Sequence, residues 1–432
     1  MTVVGRGHGW ALAVVAVAAK SLAVPDAARP CTPSATAPPP AQSLVQRPTA
    51  RTGAYAYQRG ARHFFARSRN LVFHWTTRGR DAPPLADVDG DRVPDYVELT
   101  ADAAERAWAK YTVRSPTGFG LRRPLCDHAG PDRRPDIYVK RLPSGQGMAL
   151  SATRAAGGPF MLVAPDLDVP PTLSARSLNL VVAHELFHLV QFSYVRAGMP
   201  RWIAEGTANA LALYGIEPAR ERVVNSAFSA QTDPWLQQPW TSVFAPGNNC
   251  TRCYGGGLWW IYAIAQSRAD VLRVYFERLA RSRRIGTGWQ DLATAFQRTA
   301  GTDFDQIFGR VANRMYRDGF PVRARFTVSA AAAGATPEQE IAGMSTHYVP
   351  IQVPAGAQSV EVIVEARGGE RFLNRMILGG TAGTDIPWLP QTDRARLVFR
   401  LPLTDSTRRE LVLVVTNARQ RPSRYVVSWR VS

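Results

Sequence analysis

The stretch VAHELFHLV, residues 182–190, decides how this chain is interpreted. The residues from Leu178 to Phe192 are apolar on nearly all sides, which predicts a helix buried in the interior. Gly198 and Pro200 follow and predict the end of that helix. Two histidines and a glutamate therefore lie in an apolar helix, where ionisable side chains require partners because burying them alone is costly.

The H-E-x-x-H spacing places two imidazoles on one face of that helix. Residues four apart lie one turn above each other, so His184 and His188 are predicted to bind one metal ion. Glu185 lies roughly 100° further round the helix. It is too close in sequence to be a comfortable third ligand, but it can reach a water on the open side of the metal. We therefore predict that Glu185 is a general base.

A third ligand is predicted on the segment PRWIAEGTAN, residues 200–209. Pro200 suits the first turn of a helix, and the short connector folds this helix back beside the first one. Glu205 is the only acidic residue between His188 and Glu217. Catalytic zinc usually has three protein ligands and one water. The sequence therefore predicts a His₂Glu zinc site with an open position.

At these residues the chain resembles the gluzincin peptidases, which combine H-E-x-x-H with a downstream glutamate. It is more similar still to a group of exported bacterial metallopeptidases with three characteristic segments. These correspond to Asp87–Glu98, His184–Phe192 and Trp202–Ala208. The resemblance covers roughly residues 65–320 and is specific at these motifs. It implies zinc ligands at His184, His188 and Glu205, and the base at Glu185.

The chain departs from the best-known gluzincins in two ways. The spacing to the third ligand is shorter, and the downstream aspartate that usually contacts a zinc histidine has no obvious equivalent, Asn209 being the nearest candidate. The implied reaction is hydrolysis in which a water of lowered pKa attacks a carbonyl and gives its proton to Glu185. A further donor should stabilise the oxyanion, and the candidates by residue type are Tyr194, Tyr254 and His128.

A second motif, DVDGDRVPDYVE at residues 87–98, carries carboxylates at positions 1, 3, 5, 9 and 12. These residues are Asp87, Asp89, Asp91, Asp95 and Glu98. The spacing is that of a calcium-binding loop leading into a helix, although Arg92 stands where an EF-hand has glycine. The alternative is an acidic turn before a helix started by Pro94, where carboxylates near the N-terminus are favourable. We expect a structural calcium ion.

The 432 residues suffice for two domains and processing segments. Arg6 and the apolar run from Trp10 to Ala19 predict a secretory signal peptide at 1–23, because the run is too short to span a bilayer. A Pro/Ala-rich linker or pro-segment is expected at 24–54. A metallopeptidase-like catalytic domain with a small N-terminal sheet and a helical lobe is expected at 55–322. An all-β sandwich is expected at 323–432, giving an α+β fold.

The pattern of apolar residues predicts the individual elements. Helices are expected at 94–111, 177–195, 201–214, 255–266, 270–282, 289–299 and 303–316. Strands are expected at 71–77, 136–141, 159–164, 325–329, 345–353, 359–365, 395–401, 410–416 and 424–431.

The formal net charge of +18 comes mostly from arginine and is spread along the chain. Attraction to an anionic surface is one interpretation. A solvated arginine-rich surface is favoured, because no nucleic-acid-binding motif accompanies the charge. No later apolar run reaches about 18 residues, so no transmembrane segment is expected and the mature protein should be secreted.

Four cysteines fit an exported protein. Cys250 and Cys253 form a C-x-x-C pair, while Cys31 and Cys126 are isolated. A redox pair or half of a zinc knuckle remains an alternative, but a structural disulfide that closes the short loop is favoured.

Two classes of function follow. The favoured one is a secreted zinc-dependent endopeptidase acting on proteins or peptides. The alternative is a non-catalytic surface-binding protein whose metal site is structural or vestigial. Glu185 favours the enzyme, because a purely structural site has no use for a base. Zinc-dependent hydrolysis of a substrate other than a peptide also remains open.

Overall fold

The structure is a computed structural model that describes residues 45–151, 157–167, 175–195, 198–216, 236–243, 251–265, 270–282, 288–317, 323–330, 333–367, 373–378, 396–403, 410–419 and 421–432. The expected signal peptide and most of the expected linker lie outside these residues.

The N-terminal half contains a mixed five-stranded sheet in the order β1-β2-β3-β5-β4. Its strands are β1 (His63–Arg67), β2 (Val72–Thr76), β3 (Asp136–Val139), β4 (Gly147–Leu150) and β5 (Phe160–Val163). The central strands β2, β3 and β5 are buried throughout and run parallel to one another. Strands β1 and β4 are antiparallel to their neighbours and form the two edges. The central strands are mostly apolar because helices or chain segments cover both faces.

Seven helices occur in the described part of the chain. They are α1 (Asp95–Thr112), α2 (Ala175–Phe192), α3 (Arg201–Ile216), α4 (Thr251–Ala265), α5 (Asp270–Arg281), α6 (Trp289–Ala300) and α7 (Phe304–Arg317). Helix α2 packs against α1, α3 and the sheet edge formed by β4 and β5, and α4 packs against α3. One hydrophobic core joins the sheet to these helices. Helix α2 lies at its centre, as its apolar sequence requires.

The other face of the sheet is covered by the chain around residues 45–57. Side chains of Val45, Tyr55 and Tyr57 pack on a separate cluster that includes Tyr138 and Phe160. Part of the segment predicted as a linker is therefore packed on the sheet.

The C-terminal part consists of two further sheets. Its strands are β6 (Val328–Ser329), β7 (Ala333–Ala335), β8 (Gln339–Ile341), β9 (Ser345–Gln352), β10 (Ser359–Arg367), β11 (Leu373–Leu378), β12 (Arg396–Pro402), β13 (Glu410–Asn417) and β14 (Ser423–Val431). One sheet has the order β12-β10-β14-β7, with β8 also paired to β14, and the other has the order β11-β13-β9-β6. Alternate residues of both sheets form a common core, as in a sandwich.

Helix α7 joins the helical part to the second of these sheets. The Tyr348 hydroxyl on β9 donates to the Ala312 carbonyl oxygen at 2.8 Å, and the rings of Tyr316 and Tyr348 stack with centroids 5.8 Å apart. Ala312, Tyr348, Val412 and Val414 form a small buried cluster at this contact. The sandwich is therefore packed against the helices.

The mixed α and β composition confirms the α+β class expected from the sequence. Of the described strands, β1, β4, β7, β8 and β11 are not among those predicted. Among the described residues, no helix combines the length and apolar character needed to cross a membrane.

Candidate metal centre

Three side chains from two adjoining helices meet at one point. The Nε2 atoms of His184 and His188 lie 3.0 Å apart, and Glu205 Oε2 lies 3.3 Å from the first and 3.4 Å from the second. Both imidazoles are 12% exposed and the carboxylate is 15% exposed. The ligand atoms are thus shielded from bulk water, which strengthens their attraction for a cation.

The triangle formed by these atoms has the size expected for a coordinated zinc ion. In a tetrahedral site with metal–ligand distances near 2.0–2.1 Å, neighbouring ligand atoms are about 3.3 Å apart. The observed sides of 3.0, 3.3 and 3.4 Å match this separation. Two imidazoles and a carboxylate are donors that zinc and other divalent transition metals accept. The group can therefore hold a metal ion.

Close contact between helices α3 and α4 fixes the position of Glu205. A Cβ atom at Gly206 would lie 2.8 Å from Trp260, and one at Gly257 would lie 2.8 Å from the Asn209 side chain. Helices α3 and α4 thus each have a glycine at a point of close contact with the other helix. Glu205, a candidate ligand, is therefore followed directly by Gly206, the glycine that allows α3 to pack closely against α4.

Gln191 fixes the protonation of one ligand. The amide oxygen Oε1 of Gln191 lies 2.7 Å from His188 Nδ1. The amide nitrogen Nε2 of Gln191 donates to the Ala204 carbonyl oxygen and to Thr207 Oγ1, both at 2.9 Å. A carbonyl oxygen can only accept, so the amide nitrogen must face Ala204 and the amide oxygen must face His188. Nδ1 of His188 therefore donates to Gln191, so a metal would bind through Nε2 in place of its proton.

The electrostatics of the group favour positive charge at its centre. Burial alone would lower the pKa of His188, but hydrogen bonding and the charge of Glu205 outweigh it and raise that pKa to about 9. Burial would raise the pKa of Glu205, but hydrogen bonds from both histidines hold it well below its usual range. Both shifts arise from the attraction between the carboxylate and the imidazoles, and the shift of Glu205 favours its ionised form.

Glu185 lies next to this group without being part of it. It is 9% exposed, and burial raises the pKa of its carboxyl group although the nearby histidines oppose the shift. The backbone N–H of Ala149 on β4 donates to its carboxylate. A raised pKa makes a carboxylate a stronger base.

Only one of the three candidate oxyanion donors lies beside the ligands. The ring of Tyr254 lies 6.0 Å from that of His184, and its hydroxyl hydrogen-bonds the Glu205 carboxylate. Tyr194 instead accepts a hydrogen bond from the backbone N–H of Arg122 at 2.7 Å. His128 is exposed.

Asn209, which the sequence suggests as a partner of a ligand histidine, donates its side-chain amide to the Tyr254 carbonyl oxygen at 3.0 Å. This hydrogen bond joins α3 to α4 at Tyr254, the residue whose ring lies beside His184.

The acidic loop brings together three of its five predicted ligands. Carboxylate oxygens of Asp87, Asp89 and Asp91 lie within 4.8 Å of one another, whereas Asp95 and Glu98 are not in that group. Asp87 also accepts hydrogen bonds from the N–H groups of Gly90 and Arg92 at 2.8 and 2.9 Å. Calcium at this loop stays a prediction.

Two backbone positions in the acidic loop differ from an EF-hand. Arg92 adopts φ 75° at the position where an EF-hand has glycine, and Gly90 adopts φ 76°. The turn therefore forms without a glycine at the sixth position, although positive φ is unusual for arginine.

A buried ionic network, not predicted from the sequence, lies on the far face of the sheet. Arg47 donates to Asp136 Oδ2 and to Asp127 Oδ1, both at 2.7 Å, and Asp136 Oδ1 lies 3.1 Å from His74 Nε2. His74 Nδ1 in turn lies 2.8 Å from His63 Nε2. Burial raises the pKa of Asp127 to about 7, although Arg47 opposes the shift. The network anchors the chain around Arg47 to the sheet.

Both cysteines within the described residues are oxidised. Cys126 and Cys253 are each disulfide-bonded, so neither offers a thiolate to a metal. Cys31 and Cys250 lie outside the described residues.

No protein-family model matches the chain, and no curated protein matches its sequence. Among solved structures, it is similar to the pre-peptidase C-terminal domain of collagenase from Bacillus anthracis, with 12% identity over 25% of this chain and 98% of that chain and a TM-score of 0.20. It is also similar to PliG, a periplasmic inhibitor of g-type lysozyme from Aeromonas hydrophila, with 11% identity over 26% of this chain and 100% of that chain and a TM-score of 0.19. TM-scores of this size carry no information about function.

Proposed function

We propose that this protein is a secreted zinc-dependent endopeptidase of the gluzincin type. The observation that carries the proposal is the triangle of His184, His188 and Glu205, whose sides match zinc coordination. A zinc ion held there would supply a water with a pKa lowered towards about 7. Secretion is supported by the apolar N-terminal run and the oxidised cysteines.

Glu185 is the proposed proton carrier. It lies one residue from a ligand and is largely buried, so it can take the proton of the attacking water and deliver it to the leaving amine. The hydrogen bond from Ala149 keeps its carboxylate in place. An oriented base of this kind typically contributes 10²–10⁴-fold to the rate.

Tyr254 is the proposed oxyanion donor. Its ring is next to His184, it belongs to a helix other than those that supply the ligands, and its pKa is raised by burial to about 12. A tyrosine with such a pKa keeps its proton at neutral pH. To stabilise a developing oxyanion, the hydroxyl must turn this proton away from the Glu205 carboxylate, which accepts it in this structure. His184, Glu185 and Tyr254 would then surround the reacting carbonyl.

A peptide is the proposed substrate because strand β4 borders the site. Strand β4 is at the edge of its sheet and pairs with β5 on one side only among the described strands. An extended peptide can add to such an edge through main-chain hydrogen bonds. This arrangement suits a polypeptide better than a small ester or a sugar.

The direct test compares wild type with Glu185→Gln, which keeps the size of the side chain and removes the base. Both proteins should bind one zinc ion, and cleavage of a casein substrate should fall by at least about 100-fold in the variant. Equal cleavage by both proteins would exclude the proposed base. Zinc binding without cleavage by either would favour the non-catalytic surface-binding protein instead.

A further inference from the structure

Strand β4 contains a glycine at a position where the backbone conformation does not require glycine. Gly147 opens the strand and pairs with Val163 on β5, and it is absent from the residues with positive φ, although Gly145 just before it has φ 80°. Glycine within a strand is unfavourable because it adds entropy to the unfolded chain and no packing. Its presence at position 147 therefore needs a reason other than conformation.

The reason is the lack of space for a side chain at position 147. A Cβ atom at Gly147 would lie 2.6 Å from Glu185 Cγ, 2.9 Å from Glu185 Oε1 and 2.8 Å from Val181 Cγ1. All three distances are shorter than real Cβ contacts. Two of the three atoms belong to the base, and the third belongs to the residue one helical turn before it. Strand β4 thus contacts the Glu185 side chain at position 147.

The same strand contacts the other end of that side chain. The Ala149 backbone N–H donates to the Glu185 carboxylate, so β4 contacts Glu185 at positions 147 and 149. The contact at position 147 involves Cγ and Oε1 of Glu185, and the contact at position 149 is a backbone hydrogen bond to its carboxylate.

We propose that Gly147 is a positioning residue for Glu185: its missing side chain creates the space in which the base is held against strand β4. This inference rests on the proposed role of Glu185 as the base. The three nearest atoms to a Cβ at position 147 belong to Val181 and Glu185 and none belongs to a ligand residue. Gly147→Ala therefore moves the base and leaves the metal group intact.

The test uses Gly147→Ala, with Gly256→Ala as the matched control. Gly256 lies in helix α4, and a Cβ there would meet nothing within 4 Å. We expect Gly147→Ala to lower kcat by about 10- to 100-fold, since a shift of about 1 Å in a catalytic group can cost about 100-fold. Zinc affinity, measured by competition with a chromogenic chelator, should stay within about 3-fold of wild type. Gly256→Ala should match wild type in both measurements.

A double-mutant cycle separates positioning from general damage. In a Glu185→Gln background, Gly147→Ala should lower the residual rate by less than about 3-fold, because the base through which it acts is already gone. The proposal would be overturned if the losses of rate in the two single variants multiplied in the double variant. It would also be overturned if Gly147→Ala kept the kcat of wild type, or if its zinc affinity fell together with its kcat. If Gly147→Ala does not fold, Gly147→Ala/Val181→Ala removes the clash with Val181 Cγ1 and takes its place in the cycle.

A crystal structure of Gly147→Ala tests the inference without an activity assay. The Glu185 carboxylate should lose the hydrogen bond from the Ala149 N–H, while the His184, His188 and Glu205 side chains keep their positions. An unchanged Glu185 side chain would overturn the inference. If wild type shows no cleavage that depends on Glu185, the proposed function fails, and this structural comparison still decides whether Gly147 positions Glu185.

Discussion

His184 Nε2 lies 3.3 Å from Glu205 Oε2, although the two residues belong to different helices. The contact joins α2 to α3 across the connector that follows Phe192. It also brings a carboxylate into an apolar layer, where its charge is stabilised by the two histidines. The proposed chemistry depends on this meeting of two helices.

Glu205→Gln should remove the metal, whereas Glu185→Gln should not. The glutamine keeps the shape of the side chain but loses the negative charge that holds a divalent cation, so zinc affinity should fall by more than about 100-fold. Isothermal titration calorimetry measures the zinc affinity of both variants and of wild type. Equal losses of affinity in the two variants would mean that Glu185, too, is a ligand.

Gln191→Leu should weaken zinc binding by about 10- to 100-fold through the hydrogen bond it removes from His188 Nδ1. Leucine fills a similar volume but cannot accept the hydrogen bond from Nδ1–H that directs a metal to Nε2. The measurement is the zinc dissociation constant from chelator competition. Thr207→Val is the control, because it removes a partner of the Gln191 amide nitrogen and leaves the amide oxygen in place. An unchanged dissociation constant in Gln191→Leu would refute this role.

Arg47→Met should destabilise the protein by about 3–5 kcal/mol, since it leaves Asp127 and Asp136 buried without their cation. The control is Arg67→Met, which breaks a partly exposed ion pair with Asp132 and should cost at most about 1 kcal/mol. Urea denaturation measures both free energies of unfolding. Similar values for the two variants would show that the buried network contributes little.

Acid should destabilise the sandwich through His347. This residue is 1% exposed, and burial, aided by the charge of Arg325, lowers its pKa to about 3 from an unfolded value of 6.5. The unfolded chain therefore takes up a proton between pH 6.5 and pH 3 that the folded protein does not, so stability falls as pH falls, by at most about 1.4 kcal/mol per pH unit.

His347→Asn should flatten this part of the stability profile. The comparison is made by thermal unfolding of wild type and variant between pH 7 and pH 3. A lower overall stability of the variant is expected, because it loses the hydrogen bond between His347 Nδ1 and the Tyr425 hydroxyl, 2.7 Å long. Parallel profiles for the two proteins would contradict the assignment to His347.

The elements that bear the candidate ligands could be predicted because their signals are local. The expected helix 201–214 is found as Arg201–Ile216, and the apolar run containing both histidines is found as Ala175–Phe192. A spacing of four residues within a helix fixes the geometry of His184 and His188 before any tertiary contact is known. Glu205 followed from the need of a buried carboxylate for a partner.

Other features depend on contacts between distant residues and left no local signal. Strand β4 is only four residues long and begins with glycine, so its conformation comes from pairing with β5. Arg47 lies in a proline-rich segment, and its carboxylate partners are 80 and 89 residues away. The role of Gly147 likewise became visible only when the distance to Glu185 was known.

The most direct measurement is an anomalous diffraction map, recorded at the zinc edge, from crystals grown with zinc. The proposal predicts one strong peak about 2.0–2.1 Å from His184 Nε2, His188 Nε2 and a Glu205 oxygen. A map without a peak among these three atoms, from a protein in which their side chains are ordered, would contradict it.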